Sequence, residues 1–131
     1  MQIISYVFDG EGMGPVYKND QWMVGIKNFK PANAKENMDS LERHNETDEL
    51  FVLIEGTCTL IYANETEKGL DFGSVVMERG KVYSIPATLW HNTVTIPETK
   101  MILIEKPGTC ADNSDFLTLT EEQKEALRAV C

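Results

Sequence analysis

The chain has two histidines, His44 and His91, and each stands in a short framework whose residue types suit a metal ion. The first framework reads Glu42-Arg43-His44, then Glu49 after four intervening residues and Gly56 after six more. In the second, Gly80 is followed after five residues by Pro86, and four further residues separate Pro86 from His91. Imidazole nitrogens and carboxylate oxygens are the donors a divalent first-row transition ion takes. Glu42 and His44 are two apart, so on a strand both side chains face one way. The polar stretch Asn45 to Asp48 suits a turn that resets the facing before Glu49. Gly56 fits a tight turn needing positive φ, and Pro86 fixes the approach of the chain to His91. On the second strand His91, Thr93 and Thr95 share a face, with Asn92, Val94 and Ile96 on the other. If these strands face each other, His44, Glu49 and His91 converge inside a barrel.

The elements that must do this positioning read as short strands separated by turn residues, the pattern of an all-β sandwich or barrel. The expected strands are Ile3 to Phe8, Trp22 to Phe29, Glu49 to Ile54, Thr57 to Tyr62, Val75 to Met77, Val82 to Ile85, His91 to Ile96 and Met101 to Lys106. Gly10 through Pro15, Pro31 to Asn37 and Asn64 to Gly69 read as loops. The glycines of Gly10-Glu11-Gly12-Met13-Gly14 run into Pro15 with no Lys-Ser/Thr pair after them, so they read as a plain loop rather than a phosphate cradle. Leu50 to Ile54 is apolar at every position, as expected of a strand covered on both faces. In an antiparallel barrel the outer cover would be a second subunit. Trp22 to Ile26 points the same way, and a homodimer is expected. Thr120 and Gln123 form a capping box, which opens a helix over 121–130 with Ala126, Leu127 and Val130 as its apolar stripe.

The bulk numbers bound the rest. At 131 residues the chain is expected to be one domain. Its formal charge of -9, from 12 lysines and arginines against 21 aspartates and glutamates, argues against nucleic acid or an anionic membrane as partner. The three cysteines, Cys58, Cys110 and Cys131, form no C-x-x-C pair and read as free thiols in a reducing cytoplasm. No basic-plus-apolar leader opens the chain and the longest apolar run is too short to cross a bilayer. A cytoplasmic location is expected.

The two frameworks resemble the paired motifs of the cupin superfamily. The first family motif carries two histidines around one residue, then a glutamate and a glycine; His44, Glu49 and Gly56 match, and Glu42 occupies the place of the other histidine. Gly80, Pro86 and His91 match the second motif, whereas Thr88 replaces a glycine and Thr95 an asparagine. The resemblance implies a small single-domain cupin over 1–131, a double-stranded β-helix or jelly-roll barrel with a short C-terminal helix. Its motifs lie at about 42–56 and 80–95. It further implies that His44, Glu49, His91 and Glu42 surround a divalent transition metal ion, with Fe, Mn, Ni and Zn all compatible with the donors.

Glu42 governs the chemistry. As a ligand it gives a site of two nitrogens and two carboxylates. Turned away, it leaves two histidines and one carboxylate with open positions and becomes a possible general base. A third outcome is loss of metal binding. Function stays correspondingly open between an enzyme and a binding module. The enzyme would be a metal-dependent isomerase, epimerase or oxygenase acting on a small polar substrate such as a sugar or keto acid. The module would hold a small ligand or metal without turnover. Trp90 and Tyr83 read either as pocket walls or as core residues.

Overall fold

A computed structural model describes all residues, 1–131. Ten strands form two five-stranded sheets, followed by one helix. The strands are β1 (Met13–Lys18), β2 (Met23–Asn28), β3 (Ser40–His44), β4 (Glu49–Glu55), β5 (Cys58–Thr66), β6 (Gly69–Val76), β7 (Val82–Ile85), β8 (Trp90–Thr95), β9 (Lys100–Glu105) and β10 (Ser114–Thr118). The helix α1 spans Glu121–Val130. One sheet has the order β1-β2-β9-β4-β7 and the other β10-β3-β8-β5-β6, with every pairing antiparallel. The chain passes repeatedly between the sheets, so that residues distant in sequence face one another across a common interior.

Period-two alternation sets which residues enter that interior. Phe51 and Leu53 of β4, Cys58 and Leu60 of β5, and Met101 and Leu103 of β9 pack between the sheets with Met23, Met77 and Ile85. Burial pushes the Cys58 thiol up to about 12, so it behaves as a small apolar filler. A second cluster lies on the outer face of the β10-β3-β8-β5-β6 sheet. There Leu41, Ile61, Ala63 and Trp90 are covered by Leu119 and by Leu127 of α1. The capping box forms as its residues predict: Gln123 N–H donates to Thr120 Oγ1 and Thr120 N–H donates to Gln123 Oε1.

Several segments differ from the sequence expectation: β5 runs on through Thr66 and β6 begins at Gly69, where a loop over Asn64 to Gly69 and a strand only from Val75 to Met77 were expected. Ile3 to Phe8 forms no strand; Ile3, Ile4, Tyr6 and Val7 stay exposed, and Phe8 is partly buried against Gly10 and Gly14. Met13 to Pro15, expected as loop, belongs to β1. Proline is admissible there because β1 is an edge strand whose register shifts between Pro15 and Tyr17. Polar Ser114 to Thr118 pairs with β3 over its full length.

The outer face of the first sheet carries no helix. Val24, Leu50, Val52, Ile102 and Ile104 are only partly buried there, and Ile54 and Val82 are exposed. The apolar run in β4 therefore has one face in the core and the other uncovered within the chain. No helix is long and apolar enough to cross a membrane.

Candidate functional site

At one end of the interior the apolar core gives way to a polar cluster. Its position follows from strand ends. On β3, Leu41 and Arg43 face outward, so Glu42 and His44 face in, with His44 opposite Ser114 and Glu42 opposite His91. Residues 45–48 reverse the chain, and Thr88 N–H, donating to His44 O at 2.8 Å, holds the next loop against it. Thr88 does so at φ 74°, a conformation uncommon for a β-branched residue. Glu49 then opens β4 on the interior face, ahead of Phe51 and Leu53.

The two imidazoles approach edge to face, with ring centroids 5.4 Å apart. His44 Nδ1 lies 2.8 Å from Ser114 Oγ and His91 Nδ1 lies 2.9 Å from Leu89 O. Those contacts orient both rings with Nε2 toward the cluster, the arrangement by which a histidine is held ready to ligate. Glu49 Oε1 sits between them, 3.1 Å from His91 Nε2 and 3.6 Å from His44 Nε2. Glu42 Oε1 and Glu105 Oε2 are each 4.0 Å from His44 Nε2. All four residues expected at the site are thus together, and Glu105 is a fifth.

Donor atoms fall into two overlapping triads, each within 4.8 Å: Glu42, His44 and His91, and His44, Glu49 and Glu105. His44 belongs to both. Electrostatics separates the carboxylates. Burial opposes ionisation of Glu49, but the flanking His44 and His91 outweigh it and hold its carboxyl well below the usual range. Glu49 in turn raises the pKa of His44. Burial and the neighbouring Glu49 charge push Glu105 up to about 8. Its Oε2 is buried without a hydrogen-bond partner. Such an orphan acceptor, beside the His44 imidazole and an ionised carboxylate, fits the donor set of a divalent cation. Glu42 is the more open acid, with 32% of its side chain exposed against 5% for Glu105.

The cluster opens on a cavity of about 260 Å³ that Lys27, Leu103, Cys110 and Phe116 also line. Trp90 is not part of it. It lies in the outer cluster, donates from Nε1 to Glu65 at 2.8 Å, and has the Arg43 guanidinium 4.4 Å over its ring. Tyr83 packs on the inner core, its hydroxyl accepting from Glu78 N–H. Thr95 is buried on the interior face of β8. Glu105 was readable in principle. It follows Met101 and Leu103 at period two, which places it on the same interior face, but it ends an apolar run outside either motif.

The two-sheet barrel with this polar end is a cupin-type fold. Solved structures of similar shape include a cupin-2 domain containing protein from Shewanella frigidimarina, 18% identical, with 76% of this chain and 84% of that one covered and a TM-score of 0.54. KdgF from Halomonas sp. is 16% identical over 76% of this chain and 80% of its own, with a TM-score of 0.53. Streptomyces Pac13 with uridine is 11% identical over 93% of this chain and 96% of its own, with a TM-score of 0.61; Pac13 is described as a nucleoside dehydratase. At these identities the likeness is one of fold. No protein-family model matches the chain, and no curated protein matches it in sequence.

Proposed function

We propose that the protein is a metal-dependent cupin enzyme that moves a proton on a small oxygen-rich substrate, such as a sugar or a keto acid. The observation that carries this reading is the buried, unpartnered Oε2 of Glu105 beside His44 and Glu49, with His91 joined to the same cluster through Glu49. In this reading His44, His91, Glu49 and Glu105 hold the ion, which supplies Lewis-acid stabilisation of charge on substrate oxygens. Glu42 is then released from the ligand role. Its greater exposure on the cavity side suits a general base that takes a proton from a carbon next to a carbonyl and returns it to that carbon or its neighbour. Ser114 and the Leu89 carbonyl keep the imidazoles in orientation, and the apolar walls below the cluster limit water.

The test has two parts. Elemental analysis of protein purified without added metal should find a first-row ion, and His44→Ala or His91→Ala should remove it. Proton–deuterium exchange into a panel of keto sugars and keto acids, followed by NMR, should then be slowed about 10²- to 10⁴-fold by Glu42→Gln. Metal content should stay unchanged in that variant. Exchange that survives Glu42→Gln would rule out the base role. An ion bound without any exchange would favour a binding module.

For the assembly, we propose a homodimer through the uncovered sheet face. The sheet's five strands, four to seven residues long, lie about 4.8 Å apart with about 3.3 Å per residue and offer roughly 400 Å². A stable interface takes about 800 Å² from each partner. The exposed Ile3, Ile4, Tyr6 and Val7 supply further apolar surface in the same chain, and a second copy is the occupant that meets both needs at once. A cytoplasmic location accords with the free cysteines.

A further inference from the structure

We infer that Lys27 anchors the carboxylate of a small organic acid bound in the barrel cavity, an inference that rests on the substrate-binding reading above and narrows its substrate class. On β2, Met23 and Gly25 face the interior and are buried, and Lys27 is the next residue on that face. It pairs with Met101 of β9 and lines the cavity with Glu42, His44, Glu49 and Glu105.

Three carboxylates share the cavity, yet the Lys27 ammonium makes no hydrogen bond and no ion pair within 4.0 Å. Glu49 and Glu42 act on it only through space. Burial pulls its pKa below the ordinary lysine range despite those two charges. A lysine that served only to neutralise the acids would be expected to close on one of them. Lys30, which lines the same cavity, reaches solvent instead. The ammonium is half-buried on the cavity wall and unpaired, and a ligand anion would give it a charge-assisted partner there.

The surroundings decide which anion. Glu42 and Glu49 repel a phosphate dianion more strongly than a singly charged carboxylate, and one ammonium matches one carboxylate. A cavity of about 260 Å³ admits a molecule the size of a sugar acid or keto acid. The other oxygens of such an acid would then lie toward the histidine end, where the proton transfer is proposed.

Calorimetric titration of the full chain tests this, using gluconate and pyruvate against their uncharged counterparts sorbitol and hydroxyacetone. The acids should bind about tenfold more tightly or better than the uncharged compounds, the size of a charge-assisted hydrogen bond. Lys27→Met, which keeps the apolar stem, should erase that preference, and Lys27→Arg should retain it. Melting curves establish that both variants fold. Equal binding of acids and neutral compounds overturns the inference, as does a preference that survives Lys27→Met or failure of both acids to bind at millimolar concentration. Repeating the titrations after chelator treatment separates the two readings. A Lys27-dependent preference in protein that never held metal keeps this inference and removes the metal reading. Normal metal content with no such preference does the reverse.

Discussion

Glu105 makes the stability of the site depend on pH, and the direction is fixed by which state holds the proton. Its folded value of about 8 lies above the ordinary 4.5. Between those values the folded chain keeps a proton that the unfolded chain has lost, so metal-free protein loses stability as pH rises through that window. His44 acts in the same direction, because its raised pKa gives stability below 6.5 that is lost as pH climbs through the folded value. Glu49 acts oppositely: its depressed pKa stabilises the fold above the usual carboxylate range, and that contribution is lost only in strong acid. Urea unfolding of the metal-free protein should show roughly 1 to 3 kcal/mol less stability at about pH 8 than at about pH 5, with Glu105→Gln flattening the slope. A flat wild-type profile, or an unchanged slope in the variant, contradicts this assignment. Spacing, read together with the resemblance to the cupin motifs, put Glu42, His44, Glu49 and His91 at one site. It left out Glu105 and Lys27 because each lies on a strand outside the motifs, where only the alternation of its own strand shows that it faces inward.

Among the elements, the β4–β5 turn controls how Glu49 and the core strands meet. Gly56 takes φ 74°, and a Cβ there would lie 2.7 Å from the backbone of Thr99. Two costs coincide, a left-handed backbone and a collision with main chain that cannot rotate away. Gly56→Ala should therefore destabilise the fold by about 2 kcal/mol or more, measured as a lower denaturation midpoint at constant slope. A loss below about 0.5 kcal/mol would mean that the turn relaxes freely. This glycine was legible from its place after an apolar run, as the C-terminal helix was from Thr120 and Gln123. The edge strands were less so. β1 contains Gly14 and Pro15, and β10 is largely polar; both are recruited by a neighbouring strand rather than by their own pattern.

At the scale of the molecule, the two sheets are finished differently. One has its outer face sealed by Leu119 and Leu127, while the other leaves Val24, Leu50, Val52, Ile102 and Ile104 without cover. Sedimentation should find a dimer at micromolar concentration, and Val52→Asp should shift it to monomer without reducing metal content. A wild-type monomer under those conditions would leave the apolar stripe unexplained by self-association. The helix thus does more than fill a surface. A chain with both sheets bare could stack copy upon copy without end. In the proposed dimer a chain with one bare face pairs once about a two-fold axis and is complete, so the ten residues of α1 would set the upper limit of the assembly as well as the edge of the fold.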